Sequence, residues 1–328
     1  MGVKQVPLSN VGTVVRAPID VLICCGSFEE RCCSIPEALD PGIIRMVLVA
    51  ANEDQRAYTG ENAQRLRSRF EGKCIDVAMR SDSPLQTADS LLAAIKKAAH
   101  HSRQKYLVDI TTFTHESLLI LLRLLALTLT VDDRVTFAYT SAGEYSLGLS
   151  DQDKWLTKGV KEIRSVLGFS GDIIPSLKTH LIVLVGYEHE RASELIASLS
   201  PSILSLGCGG RGTATNDKHQ GANEHFHKLV RTSCAIYGQC HDFDFSCSDP
   251  WKAKEAILKQ ARKFPDQNVV VAPMNTKIST VGAALAAQEM ECIQICYAQA
   301  LRYNYEHYSA PGDKCHVFEL PELIQSAR

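Results

Sequence analysis

Val21-Leu22-Ile23-Cys24-Cys25-Gly26-Ser27-Phe28-Glu29-Glu30-Arg31 has a counterpart later in the same chain, Leu181-Ile182-Val183-Leu184-Val185-Gly186-Tyr187-Glu188-His189-Glu190-Arg191. Each stretch is an apolar run, a glycine, three variable residues and then Glu-Arg. Further pairs follow in the same order. Gly60-x-Asn62 matches Gly221-x-Asn223, Thr114-His115-x-Ser117 matches Thr276-Lys277-x-Ser279, and Tyr139 and Tyr145 match Tyr297 and Tyr303. All of these landmarks recur at an offset of about 160 residues, so the chain reads as an internal duplication. Two copies of one fold are expected to pack as a pseudo-dimer, with a ligand site between them.

Around these landmarks, strand and helix signals alternate. In the first half the apolar runs Val21–Cys25, Ile43–Ala50, Cys74–Met79, Tyr106–Ile110 and Val135–Tyr139 are separated by helical stretches. The second half repeats the scheme with Leu181–Val185, Ile203–Leu206, His241–Phe245, Val269–Ala272 and Cys292–Tyr297. Continuous apolar strands alternating with helices predict a parallel sheet covered on both faces. Right-handed crossovers then give an α/β fold of two tandem Rossmann-like, doubly wound domains. Residues 1–150 are assigned to the first domain and 179–328 to the second. Residues 151–178 are read as a linker with a short helix around Trp155–Val166. Ser83-Pro84 and Asp249-Pro250 stand at equivalent helix starts, each a cap residue followed by a proline suited to the first helical position.

The bulk numbers fit this plan. The chain has 328 residues and 45% hydrophobic content, enough for two domains with separate cores. Lys plus Arg number 35 against 37 Asp plus Glu, a balance that argues against a chain-wide nucleic-acid footprint. Met1 to Asn10 lack a charged region followed by a long apolar core, so no secretory leader is expected. The 12 cysteines, without C-x-x-C spacing, read as reduced thiols of a cytoplasmic protein. The apolar stretch Leu118–Leu129 carries Arg123 and reads as a buried helix, so no membrane partner is expected.

In such sheets ligands bind beyond the carboxyl ends of the strands, where the repeated motifs fall. Gly26 and Gly186 end the first strand of each half, followed by Ser27 and Tyr187. Neither loop is a G-x-G-x-x-G or P-loop motif, so no dinucleotide cofactor is expected. Glu30-Arg31 and Glu190-Arg191 suit a sugar hydroxyl or phosphate; they equally suit a structural ion pair on a first helical turn. After the fourth strands stand Thr111-Thr112-Phe113-Thr114-His115 and Asn275-Thr276-Lys277. Their hydroxyls, amide, lysine and backbone N–H groups suit phosphate and ribose, with plain N-capping as the alternative. The tyrosine-bearing loops after the fifth strands, Tyr303 among them, suit base stacking or aromatic packing. Cys208, His219, His225, His227, Cys240, His241, Asp242, Asp244 and Cys247 lack a recognised zinc spacing, so no metal is expected.

The Asn275-Thr276-Lys277 element after a fourth strand, the glycine loops and the duplication resemble the CRISPR-associated Rossmann-fold (CARF) superfamily and its relatives, the SAVED domains. The resemblance implies a sensor of nucleotides, cyclic oligonucleotides included, in bacterial antiviral defence. It implies a nucleotide-like anionic small molecule as ligand. No effector domain is expected after Glu319-Leu320, so the resemblance also implies either a separate effector protein or a chain that cleaves its own ligand. The family often has glycines before its Thr-Lys element, where Met274-Asn275 stand here, and His115 stands where the second half has Lys277. An enzyme acting on a nucleotide or nucleoside, of phosphodiesterase or glycosidase type, and a non-catalytic structural subunit are the alternatives.

Overall fold

The computed structural model describes residues 2–53, 56–99, 103–146, 154–210, 212–215, 217–234, 236 and 239–325. The chain forms two compact units. Unit 1 comprises residues 1–144 and 309–328, and unit 2 comprises Tyr145–Tyr308.

In chain order, unit 1 begins with β1 (Lys4–Pro7), α1 (Val11–Val14), β2 (Ile19–Gly26), α2 (Ser34–Ala38), β3 (Ile44–Asn52) and α3 (Arg56–Arg69). It continues with β4 (Cys74–Met79), α4 (Pro84–Ala98), β5 (Lys105–Asp109), α5 (His115–Thr128) and β6 (Arg134–Tyr145). Unit 2 holds β7 (Thr157–Ser165), β8 (Thr179–Leu184), α6 (His189–Leu199), β9 (Ile203–Cys208), α7 (Asp217–Ser233) and β10 (Gln239–Asp244). Then come α8 (Pro250–Ala261), β11 (Asn268–Pro273), α9 (Lys277–Glu289) and β12 (Gln294–Tyr303). The chain returns to unit 1 with β13 (Ser309–Glu319) and α10 (Glu322–Gln325).

The sheet of unit 1 has strand order β1-β13-β6-β5-β2-β3-β4, and that of unit 2 has β10-β9-β8-β11-β12-β7. The five strands read from each half therefore lie in the same order, 3-2-1-4-5, and pair in parallel. This is the Rossmann-like α/β arrangement, built twice. The strands form where the sequence is continuously apolar: Val21 to Cys24 and Leu181 to Leu184 are at most 0% exposed, because helices cover both faces. Around β2, Leu22, Cys24, Val47, Val49 and Leu107 pack on Ile35, Leu66 and Phe70. Around β8, Leu181, Val183, Leu204, Leu206 and Val270 pack on Leu195, Ile196 and Val230. Each such aliphatic side chain removed from water contributes about 1.5–3 kcal/mol. The apolar α5 is the buried helix expected, and no described helix is long and apolar enough to cross a membrane.

Three expectations need correction. Residues around Trp155–Val166 are not a linker helix: Thr157–Ser165 is β7, antiparallel to β12. The lysines and glutamate of this stretch have helical composition, but pairing along an open sheet edge overrides that local preference. The second domain does not run to 328, because β13 adds to the sheet of unit 1, where it pairs antiparallel with β1. The expected boundary at residue 150 lies outside the described residues. Finally, Ser83 makes no side-chain cap, whereas Asp249 accepts hydrogen bonds from Trp251 N and Lys252 N at 3.0 Å each.

Candidate functional site

In each unit the strand order reverses between the first and fourth strands: between β2 and β5, and between β8 and β11. Loops at the carboxyl ends of such a pair diverge to opposite faces and leave a crevice. The repeated motifs converge there. Thr112 Oγ1 donates to Cys25 O at 2.7 Å, and Asn275 Nδ2 donates to Val185 O at 2.6 Å. Both acceptors are the residue before the repeated glycine, so one polar bridge ties the fourth-strand loop to the first strand in each unit.

The glycines are required by close approach. A Cβ on Gly186 would lie 2.0 Å from Met274 O, and one on Gly26 would lie 2.8 Å from the Ala63 methyl. The two glycines match in sequence but meet different neighbours, the opposing loop in unit 2 and α3 in unit 1.

Thr114 and Thr276 are the N-caps of α5 and α9, accepting from Ser117 N at 3.1 Å and Ser279 N at 3.2 Å. Thr276 Oγ1 also donates to Cys247 O at 2.7 Å. His115 and Lys277 are the first helical residues; His115 is buried and Lys277 half-buried. Ser27 is buried, its Oγ accepting from Glu29 N at 3.3 Å. Tyr187 is 9% exposed and packs with Tyr145, Phe226 and His219 at ring-centroid distances of 5.0, 5.2 and 6.1 Å.

The Glu-Arg motif is structural. Arg31 and Arg191 are each 3% exposed, but their partners are Glu29 and Glu188, not Glu30 and Glu190. Glu30 and Glu190 face solvent. The ligand-contact reading of the two arginines is therefore corrected, since both are sealed in ion pairs; Glu30 lies 3.8 Å from Arg65 Nη1, and Glu190 is exposed. A hydroxyl from the strand outside the fifth completes each pair. Ser309 on β13 donates to Glu29 at 2.6 Å, and Thr157 on β7 donates to Glu188 at 2.5 Å. Arg31 is bonded all round, with Nε reaching Glu29 and Ser309 and Nη1 donating to Thr140 O at 3.0 Å. Arg191 Nε has no hydrogen-bond partner among the described residues. Burial pulls the Arg191 pKa down, but Glu188 and the phenols of Tyr297, Tyr303 and Tyr308 outweigh it and hold the guanidinium charged. Tyr303 ends β12 beside this arginine, and burial raises its phenol well above the ordinary value. It belongs to this packed cluster rather than to an open stacking platform.

Beneath the crevice of unit 1, Asp109 is 2% exposed. Burial pushes its carboxyl up to about 7, against the hydrogen bonds from Thr111 N and Oγ1 and the charge of Arg31, which lower it. Thr111 Oγ1 in turn accepts from Thr140 N at 3.0 Å. Thr111 thus serves the fold.

Two residues used only as sequence landmarks also shape the crevices. Asn62 Nδ2 donates to Ser27 O at 2.8 Å, and Asn223 Nδ2 donates to Gly209 O at 2.7 Å. Their recurrence at one offset was the signal. In unit 2, Gly209 is pressed on Cys247, since a Cβ there would lie 2.1 Å from its sulfur. Among the described residues no three His, Cys, Asp or Glu side chains converge as metal ligands.

No family model matches the chain, and no curated protein matches it. Among solved structures, the mitomycin 7-O-methyltransferase MmcR is similar over 43% of this chain and 38% of its own length, at 13% identity and a TM-score of 0.23. The similarity thus spans well under half of either protein.

Proposed function

We propose that this chain binds a phosphate-bearing nucleotide at the strand-order reversal of unit 2 and acts as a sensor for it, passing the signal to a separate effector protein in antiviral defence. The reading rests on one observation. The loop that bridges β11 to β8 through Asn275 runs into the N-terminus of α9, and Lys277, half-buried, is the first residue of that helix. A helix N-terminus carries partial positive charge and unsatisfied N–H groups, which favour an anion. An ammonium on a flexible stem adds a point charge at the same place. Asn275 and Thr276 hold the loop, and Lys277 brings its charge to the same helix start. In unit 1 the same position carries His115, which is buried, so unit 2 is the stronger anion site.

The test is mass spectrometry of small molecules that co-purify with the protein, followed by calorimetry of the nucleotide found. Lys277→Ala should weaken binding by about 1.5–3 kcal/mol, the range for a hydrogen bond to a charged group, with the fold intact. Unchanged affinity removes Lys277 from the site. Conversion of the ligand during the titration replaces sensing by catalysis, and absence of any bound nucleotide favours a structural subunit.

A further inference from the structure

Unit 1 contains a cavity of about 210 Å³ that none of the repeated motifs touches. It lies by the end of β13 and the start of β1 and is lined by Val14, Val317 and Phe318 together with Lys4, Arg16 and Glu319; Thr136 on β6 adds a hydroxyl. β1 and β13 are antiparallel with Lys4 opposite Val317, so the register of the sheet edge fixes the backbone of Lys4 beside the apolar wall. Phe318 is held by stacking on Phe137 at 5.7 Å and 17°. The strand carboxyl ends that form the crevice of unit 1 lie elsewhere, since Thr136 is near the start of β6.

Two observations give the cavity a chemical preference. Its lining combines three apolar residues with two cations and one carboxylate. Neither Lys4 nor Arg16 makes an ion pair or side-chain hydrogen bond within the described residues, although other arginines of the unit, such as Arg31, Arg65, Arg67 and Arg80, are all engaged by carboxylates. Two cations against one carboxylate leave one net positive charge in the lining. A group with one negative charge matches that balance, and an apolar body matches the walls formed by Val14, Val317 and Phe318. Arginine and lysine heads can meet a carboxylate while their stems cover apolar surface.

We infer that this cavity binds a small amphipathic monoanion, a carboxylate on a short aliphatic or aromatic body. It is a second ligand site, independent of the crevice of unit 2. A bare dianion lacks the body that the walls would cover, and a neutral apolar molecule lacks the charge that the two cations attract. The volume, below the common range of about 300–1,000 Å³ for drug-sized ligands, restricts the occupant to a compact molecule.

The test titrates the full chain with hexanoate and benzoate by ligand-observed NMR and calorimetry, with hexanol and inorganic phosphate as single-property controls. Binding of at least one carboxylate, at least tenfold tighter than hexanol and than phosphate, is the expected result. Lys4→Ala with Arg16→Ala should weaken it at least tenfold; both side chains are exposed, so folding should be kept. Thr136→Phe should block the cavity without changing its charge, and Lys277→Ala should leave carboxylate binding unchanged. Failure of both carboxylates to bind overturns the inference. So does equal binding of hexanol or phosphate, and so does undiminished binding in the double charge variant or in Thr136→Phe.

Discussion

Acid should destabilise unit 2 more than unit 1, and His180 is the reason. Its ring is 0% exposed, donates or accepts one hydrogen bond with Ser205 Oγ at 2.8 Å through Nε2, and lies edge-on to Phe264 at 5.0 Å. Nδ1 has no partner. Burial, then the charges of His241 and Lys263, lower its pKa from 6.5 to about 4. Between those values the unfolded chain binds more protons than the native one, so native stability falls as pH falls through 6.5 toward 4. The loss is about 2 kcal/mol at pH 5 and about 3 kcal/mol at pH 4, from roughly 1.36 kcal/mol per pKa unit. In unit 1, His316 is likewise lowered to about 4, chiefly by burial. There Asp109 works in the opposite sense. Its folded pKa of about 7 lies above the ordinary 3.8, so the native state takes up a proton as pH falls through 7, and stability rises. The two effects are of similar size and largely cancel. Trp155 and Trp251 are the only tryptophans and both lie in unit 2, so urea titration followed by tryptophan fluorescence reads that unit. The midpoint should drop markedly from pH 7.5 to pH 5, with far-UV circular dichroism retaining a more acid-resistant component. His180→Gln should flatten the pH dependence of the fluorescence transition, whatever it costs at pH 7.5. A fluorescence midpoint equal at both pH values, or an unchanged slope in His180→Gln, would refute the reasoning.

Gly186→Ala should destabilise unit 2 by about 3 kcal/mol, the upper part of the range for overpacking, because the added methyl meets the rigid Met274 carbonyl; a fluorescence midpoint within error of the parent would contradict this. Glu188→Gln should cost about 3–5 kcal/mol in the same assay by leaving Arg191 charged and buried without its counter-ion, and replacing both residues by apolar ones of similar volume should recover most of the loss. Thr276→Ala removes the α9 cap and the bond to Cys247 O and should cost about 1–2 kcal/mol; a smaller effect than that of the exposed Lys252→Ala would show that the cap contributes nothing.

The ten strands of the two repeats, and the helices between them, were legible because their signals are local. Val21 to Cys24 and Leu181 to Leu184 are apolar without interruption, which only a strand covered on both faces accommodates. The recurrence of Gly26 as Gly186 and Thr114 as Thr276 announced the duplication, and both threonines cap helices as their position after a strand suggested. The same local logic exposed the crevice residues, since a chain alternating strand and helix places every strand-to-helix loop at the carboxyl end of a parallel sheet.

The partners of those residues required the tertiary structure. In sequence Glu30-Arg31 and Glu190-Arg191 align, yet the ion pairs form with Glu29 and Glu188, because the backbone path through a tight turn in one unit and an α-helix in the other decides which carboxylate reaches the guanidinium. The strand identity of Thr157–Ser165 and the return of Ser309–Glu319 to unit 1 were equally invisible. Both carry polar, interrupted stretches, β7 at a sheet edge and β13 between β1 and β6, and each pairs with residues more than a hundred positions away. A segment whose own side chains are continuously apolar declares its state in sequence; a strand with polar interruptions takes its state from the neighbour that offers free N–H and C=O groups, and that neighbour is known only once the chain has folded.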